Sequence, residues 1–223
     1  MRAPRVDSAR DAIGGRREGG AALLIALLTV LVVSAIGAVL ISVAIVETTI
    51  TGAHRYAAEA SYAADAAFER ALRDLDLLPD WSLALLPPPA NVQSTFVDGQ
   101  LYPFAPDGRQ LDVMALTAAR QAHSDAQSGP SVFGADSPQW RIYAHSSLAA
   151  ILPPGTPVQP AYVLVWVSDD GEDGDGDPAI DSNSRIAVFA EAYGSGGARR
   201  AIEGSLGRSA QGTLAVLNWR HVH

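Results

Sequence analysis

Seven carboxylates fall within 13 positions, Asp169, Asp170, Glu172, Asp173, Asp175, Asp177 and Asp181, interleaved with Gly171, Gly174 and Gly176. Carboxylates on a flexible, glycine-rich backbone can supply the roughly six to eight oxygens that Ca²⁺ takes. Like charges this close repel one another unless a counterion is present. Asp173, Asp175 and Asp177 have the alternate spacing that opens an EF-hand loop, but Ser184 stands where that loop needs its closing Glu. The candidate calcium ligands are therefore Asp169, Asp170, Asp173, Asp175, Asp177 and Asp181, in a loop of its own kind. A solvated β-hairpin loop with excess acid and no cofactor is the other reading. A metal here would stiffen the loop between two strands and would have no catalytic part.

Other residues with reactive side chains do not converge. His54, His123 and His145 are far apart, and His221 and His223 sit at the C-terminus. Ser195, in AYGSGGARR, has the setting of a turn between strands, with no His and carboxylate that can be assigned to it. No glycine-rich segment has P-loop or dinucleotide-binding spacing. The chain has no cysteine, which removes disulfides, thiolate metal sites and thiol nucleophiles. Its net charge of −8 argues against direct nucleic-acid binding. These features point away from an enzyme, since a membrane-tethered hydrolase needs a convergent polar pocket. Trp166 and Trp219 lie in strand-like runs and read as core. For Trp81 and Trp140 buried packing is the expectation, and exposed binding anchors the alternative.

The elements that position the acidic loop begin with an apolar run. Gly19 to Val46 is 28 residues without a charge, longer than the roughly 20 needed to cross a bilayer. Arg2, Arg5, Arg10, Arg16 and Arg17 precede it, whereas only Arg55 lies near its far end. This asymmetry predicts a cytoplasmic head and a translocated C-terminal part. A secretory signal cut near Ala44, or a buried core helix, fits that length poorly. From Glu47 to Leu77 there is no proline, and Ile50, Ala53, Ala57, Ala60, Ala64, Ala67, Phe68, Ala71, Leu72 and Leu75 recur at helical spacing. Glu69 and Arg73 are placed for an i,i+4 pair. One helix of more than fifty residues is predicted, ended by Pro79 and the Leu85–Pro89 stretch.

The expected organisation is a basic leader over 1–20, a transmembrane helix over 21–46 and an amphipathic continuation over 47–78. A Pro/Gly/Ser-rich region over 79–139 follows, then an antiparallel β region over 140–223 carrying the acidic loop 169–181. Within 79–139, an extended piece near Gln100–Phe104 and a short helix near Val113–His123 are predicted. Strands are predicted from WRIYAH at Trp140, AYVLVWVSDD at Ala161, RIAVFAEAYG at Arg185, RRAIEGSLGR at Arg199 and TLAVLNWRHV at Thr213. The predicted class is α+β: a long N-terminal helix covering the one buried face of a small antiparallel sheet.

The segments RREGGAALLIALLTVLVV (Arg16–Val33) and TTITGAHRYAAEASYAADAAFERAL (Thr48–Leu72) resemble the type IV pilin superfamily, and more narrowly its PilX-like minor pilins and pilus assembly proteins. The stretch DDGEDGDGDPAIDSNSRIAVFAEAYGSGGARRAIE (Asp169–Glu203) is similar to the C-terminal region of larger PilX-like members. The resemblance implies a type IV pilin-like fold and a single-pass protein of the bacterial inner membrane, carried into a pilus or pseudopilus. It implies removal of the leader by prepilin peptidase between Gly20 and Ala21, or alternatively between Gly19 and Gly20, with methylation of the new amino terminus. Other pilin-like subunits and the inner-membrane assembly platform are the implied partners. Gly20, Ala21, Ala22, Ser34, Gly37 and Ala38 would allow close helix contact. The glutamate that major pilins carry at the fifth mature position is replaced by Ile25, or by Leu24 for the alternative cut. That departure favours a priming or tip component over a bulk subunit. A stand-alone, single-pass binding module is the alternative function.

Overall fold

The computed structural model describes residues 11–128 and 130–222, with side chains described from residue 20 onward except at 129–131. The arginines Arg2, Arg5 and Arg10 of the expected head lie outside the described residues. A single helix, α1, runs Asp11–Asp76 over 66 residues, with neither proline nor a breaker cluster to interrupt it. The chain divides into two compact units, Met1–Gly52 and Ala53–His223, and α1 contributes to both.

In the first unit the apolar side chains of α1 are bare. Leu24 is 69% exposed, and Leu23, Ile25, Leu31 and Ile41 are also exposed. This is the one candidate membrane-spanning helix among the described residues, and none of its most apolar stretch is buried. Several of its hydroxyls are satisfied locally. Thr29 Oγ1 donates to the Ile25 carbonyl at 2.8 Å, Ser42 Oγ to that of Ala38 at 3.0 Å and Thr49 Oγ1 to that of Ile45 at 2.9 Å. A hydroxyl bonded to its own helix can enter an apolar medium without an unmade hydrogen bond.

In the second unit five strands form one antiparallel meander, in the spatial order β1–β2–β3–β4–β5. They are β1 (Arg141–Ser147), β2 (Ala161–Asp169), β3 (Arg185–Gly194), β4 (Arg199–Arg208) and β5 (Leu214–Val222), matching the five predicted runs. One face carries Val163, Val165, Val167, Ile186, Val188, Ala190, Ala192, Ile202 and Leu206, packed with Ala63, Ala64, Ala67, Phe68, Ala71, Leu72 and Leu75 of α1. Small residues set the approach: a Cβ on Gly194 would lie 3.4 Å from the Ala60 Cβ. One on Gly204 would meet the Phe68 ring at 2.8 Å, so the ring occupies space that only glycine leaves free.

Several expectations need correction. The sheet buries both faces, not one: Trp140, Ile142, Tyr162, Leu164, Trp166, Phe189 and Tyr193 form a second core with Ala105, Leu111 and Val113. The cover comes from the 79–139 region, through α3 (Val113–Ser128), which exceeds the predicted Val113–His123 helix. Two shorter helices, α2 (Ser82–Leu85) and α4 (Pro130–Phe133), belong to the same region. The amphipathic stripe of α1 is buried only from Ala60 onward, with Ile50 52% exposed; no Glu69–Arg73 pair forms, the ion pairs within α1 being Arg55–Glu59 and Arg70–Asp74 among the described residues. Trp219 is 59% exposed, because β5 is an edge strand bonded to β4 alone and open on both faces. Of the extended piece expected near Gln100–Phe104, the structure has a lone bridge joining Phe104 to Gln110.

Trp81 and Trp140 are both buried, and Trp81 closes the end of α1. Its Nε1 donates to the Leu75 carbonyl at 2.9 Å. Arg208 lies 4.4 Å over the Trp81 ring and donates to the same carbonyl at 3.0 Å. A helix C-terminus leaves carbonyls without intrahelical donors, and these two side chains supply them. Asp74, close to that end, accepts from the Ser94 hydroxyl and from the Thr95 N–H at 3.0 Å, tying the 91–98 segment to α1.

His145 is buried on β1, with Nδ1 3.0 Å from the Tyr162 hydroxyl and 3.2 Å from Asp98 Oδ1. Burial pushes its pKa below the ordinary histidine value, although the Asp98 charge and hydrogen bond pull it upward. A lowered folded-state pKa means that stability is complete above the unfolded value and is lost as pH falls through it toward the folded one. In urea melts of the full chain in detergent, the stability of wild type relative to His145→Gln is expected to fall as pH drops below about 6.5; a difference that pH leaves unchanged would show that His145 does not titrate on unfolding.

Candidate metal centre

The acidic loop leaves β2 at Asp169 and enters β3 at Arg185, and its conformation is held from outside. A short 3₁₀ turn over Gly134–Asp136 lies against it. Gly171 adopts φ +73°, and a Cβ there would sit 3.0 Å from the Asp136 carbonyl oxygen and 3.1 Å from the Phe133 ring. Glycine is therefore required on two counts, the left-handed backbone and the close approach. Across the loop, the Asp181 N–H donates to Ser82 Oγ at 3.1 Å.

The carboxylates divide into distinct roles. Asp169, Asp173 and Asp181 each place an oxygen within 4.8 Å of the others, and Asp136, Asp173 and Asp175 form a second such trio. Asp173 is common to both. Its Oδ2 accepts from the Ser182 N–H at 3.0 Å and the Ser182 hydroxyl at 3.1 Å. Asp169 is completely buried; its Oδ1 accepts from the Asp170 N–H at 3.0 Å. Four side-chain oxygens in this region are buried without a hydrogen-bond partner: Asp136 Oδ1, Asp169 Oδ2, Asp173 Oδ1 and Asn183 Oδ1. Buried polar atoms are ordinarily paired, so four orphans in one neighbourhood call for a ligand or a solvent partner.

Asp170 and Asp177 belong to neither trio. Asp170 accepts from Asn183 Nδ2 at 3.1 Å and from the Glu172 N–H at 3.1 Å. Asp177 caps the Ala179 N–H at 3.0 Å. Both serve the loop's turns rather than the cluster. Asp136 was not foreseen, because it lies 33 positions before Asp169 with no local pattern around it. Asn183 lies in the loop itself and was legible as a neutral oxygen donor.

The electrostatics follow from crowding. Burial, then the neighbouring Asp173 charge, pushes the Asp169 carboxyl up to about 8, against the pull of the Asp170 N–H. Asp181 is raised by burial and by the Asp173 and Asp80 charges, while backbone N–H groups of Arg185 and Ser184 oppose the shift. The site thus disfavours its own negative charge and favours a hard cation that takes oxygen ligands. It contains no His and no Cys, the donors that softer transition metals prefer.

Elsewhere the structure joins His145, Asp98 and Tyr162, a grouping the sequence left apart. The Tyr162 hydroxyl donates to Asp98 at 3.0 Å, and burial with the Asp98 charge raises its pKa. A phenol held protonated is a poor nucleophile, so the trio ties the Asp98 loop to the sheet. Ser195 is the turn residue expected, its carbonyl accepting from the Ala198 N–H at 3.2 Å. No protein-family model, curated protein or solved structure matches the chain.

Proposed function

We propose that this chain is a non-enzymatic minor pilin-like subunit, anchored in the inner membrane with its N-terminus cytoplasmic, that joins or primes a type IV pilus or related pseudopilus. The observation that carries the reading is one unbroken 66-residue helix with two kinds of surface. Its apolar residues from Leu23 to Val46 have no partner within the chain among the described residues. Its later alanines, from Ala60, are buried against a sheet. Lipid and neighbouring helices suit the first surface; a folded head carried outside the membrane suits the second.

Small residues mark where such neighbours would pack. A Cβ placed on Gly37 meets nothing within 4 Å, and Ser34 and Ala38 share its side of the helix. The chain has no cysteine, so Gly37→Cys provides a single thiol. Co-expressed with a pilin-like subunit bearing one cysteine at the matching depth, it is expected to form a disulfide adduct on mild oxidation. Val39→Cys, at similar depth on the opposite side, is expected to cross-link far less. Equal adducts from both positions, or none from either, would contradict helix packing through this face.

A further inference from the structure

We infer that Asp169, Asp173 and Asp181 bind a Ca²⁺ ion between the end of β2 and the start of β3, with Asp136 and Asp175 beside it around Asp173. The inference does not depend on the pilin-like reading. An acidic cluster alone would be only a repulsive loop, and the orphaned oxygens distinguish this one. Asp169 is fully buried, shares a 4.8 Å cluster with two other carboxylates, and has an Oδ2 with no hydrogen-bond donor. Asp173 Oδ1 and Asp136 Oδ1 are also buried and unpartnered.

The pattern of the bonds that are made fits the same conclusion. Asp169 Oδ1 and Asp173 Oδ2 accept from backbone N–H groups that fix their orientation, while the second oxygen of each is left over. Carboxylates oriented through one oxygen with the other unpaired are arranged as metal ligands, and an N–H holding each ligand from behind is what a rigid site requires. An all-oxygen set with several carboxylates matches a large, hard divalent cation. Part of the cluster, through exposed Asp175, remains open to solvent, so water can complete the coordination. Bound Ca²⁺ would fasten three segments together: the end of β2 at Asp169, the β2–β3 loop, and the Gly134–Asp136 turn behind α4.

The test is thermal unfolding of the full-length protein in detergent, first with EGTA and then with CaCl₂ in rising concentration. At free Ca²⁺ about 100-fold above Kd the melting temperature is expected to rise by about 5–10 °C. Kd is expected on the order of 10⁻⁵ to 10⁻³ M. Asp173→Asn removes the carboxylate common to both trios and is expected to weaken binding by at least about tenfold. Without calcium it should melt no lower than the parent, since one repelling charge is gone. Asp169→Asn is a second route to the same loss should Asp173→Asn fold poorly. Asp177→Asn, which removes an exposed turn cap outside both trios, is expected to keep the full calcium response. A melting temperature that CaCl₂ leaves unchanged up to about 10 mM, beyond the range for weak sites, overturns the proposal. So does a calcium response that survives in both Asp169→Asn and Asp173→Asn.

Discussion

Trp81→Ala is expected to destabilise the Ala53–His223 unit by about 3–5 kcal/mol. The ring is 1% exposed and serves three functions. It fills the space at the end of α1 beside Leu75, Ala84 and Leu85. Its indole N–H bonds the Leu75 carbonyl, and its face supports the Arg208 guanidinium that bonds the same carbonyl. Removing it opens a cavity and loosens the helix end together. For a unit of this size the melting temperature should fall by roughly 6–20 °C. Trp81→Phe keeps most of the packing and the aromatic face and loses only the indole hydrogen bond, so its deficit should be much smaller. A Trp81→Ala protein within about 1 kcal/mol of wild type, by urea melts in detergent, would show that the end of α1 is held elsewhere.

The second large effect is all-or-none. If the chain enters the pilin pathway through cleavage between Gly20 and Ala21, Gly20→Leu should abolish that cut. The substitution is a clean one, because a Cβ at Gly20 meets nothing within 4 Å and the position lies in the exposed part of α1. Leucine is also a better helix former than glycine, so the helix itself should not suffer. A cut that persists in this variant, with the substituted leucine as the new first residue, would assign the alternative site after Gly19. The fifth mature residue then matters. Ile25 offers no carboxylate to a neighbouring subunit's amino terminus, and an unpaired charge among apolar helices is costly. A subunit of this kind is suited to a position with no identical copy above it.

Much of this organisation was legible in the sequence, for identifiable reasons. The long helix announced itself through uninterrupted apolar and alanine-rich residues, and the five strands through short β-branched and aromatic runs between turn residues. The second buried face was also written there: AYVLVWVS is apolar at nearly every position, and a strand with one wet face would alternate. Trp140 and Trp166 read as buried from the sequence, but a single α1 face left the second core they share with Phe189 without a cover. Trp219 misled because residue type does not report whether a strand is central or at an edge. The acidic loop stood out by composition, but which carboxylates converge did not. Asp170 and Asp177 were indistinguishable from Asp173 by spacing, and only the folded loop turns them toward backbone N–H groups. Asp136 reaches the cluster through tertiary packing against Gly171, which no local pattern encodes.

The central claim is that the apolar helix and its Arg-rich head are those of a processed pilin-like subunit. It is tested most directly by the intact mass and amino-terminal sequence of the membrane protein, with and without co-expressed prepilin peptidase. The account predicts a new amino terminus at Ala21, carrying a methyl group, only when the peptidase is present. An intact head from Met1, under conditions in which a control pilin is cut, would contradict it and leave a single-pass membrane module.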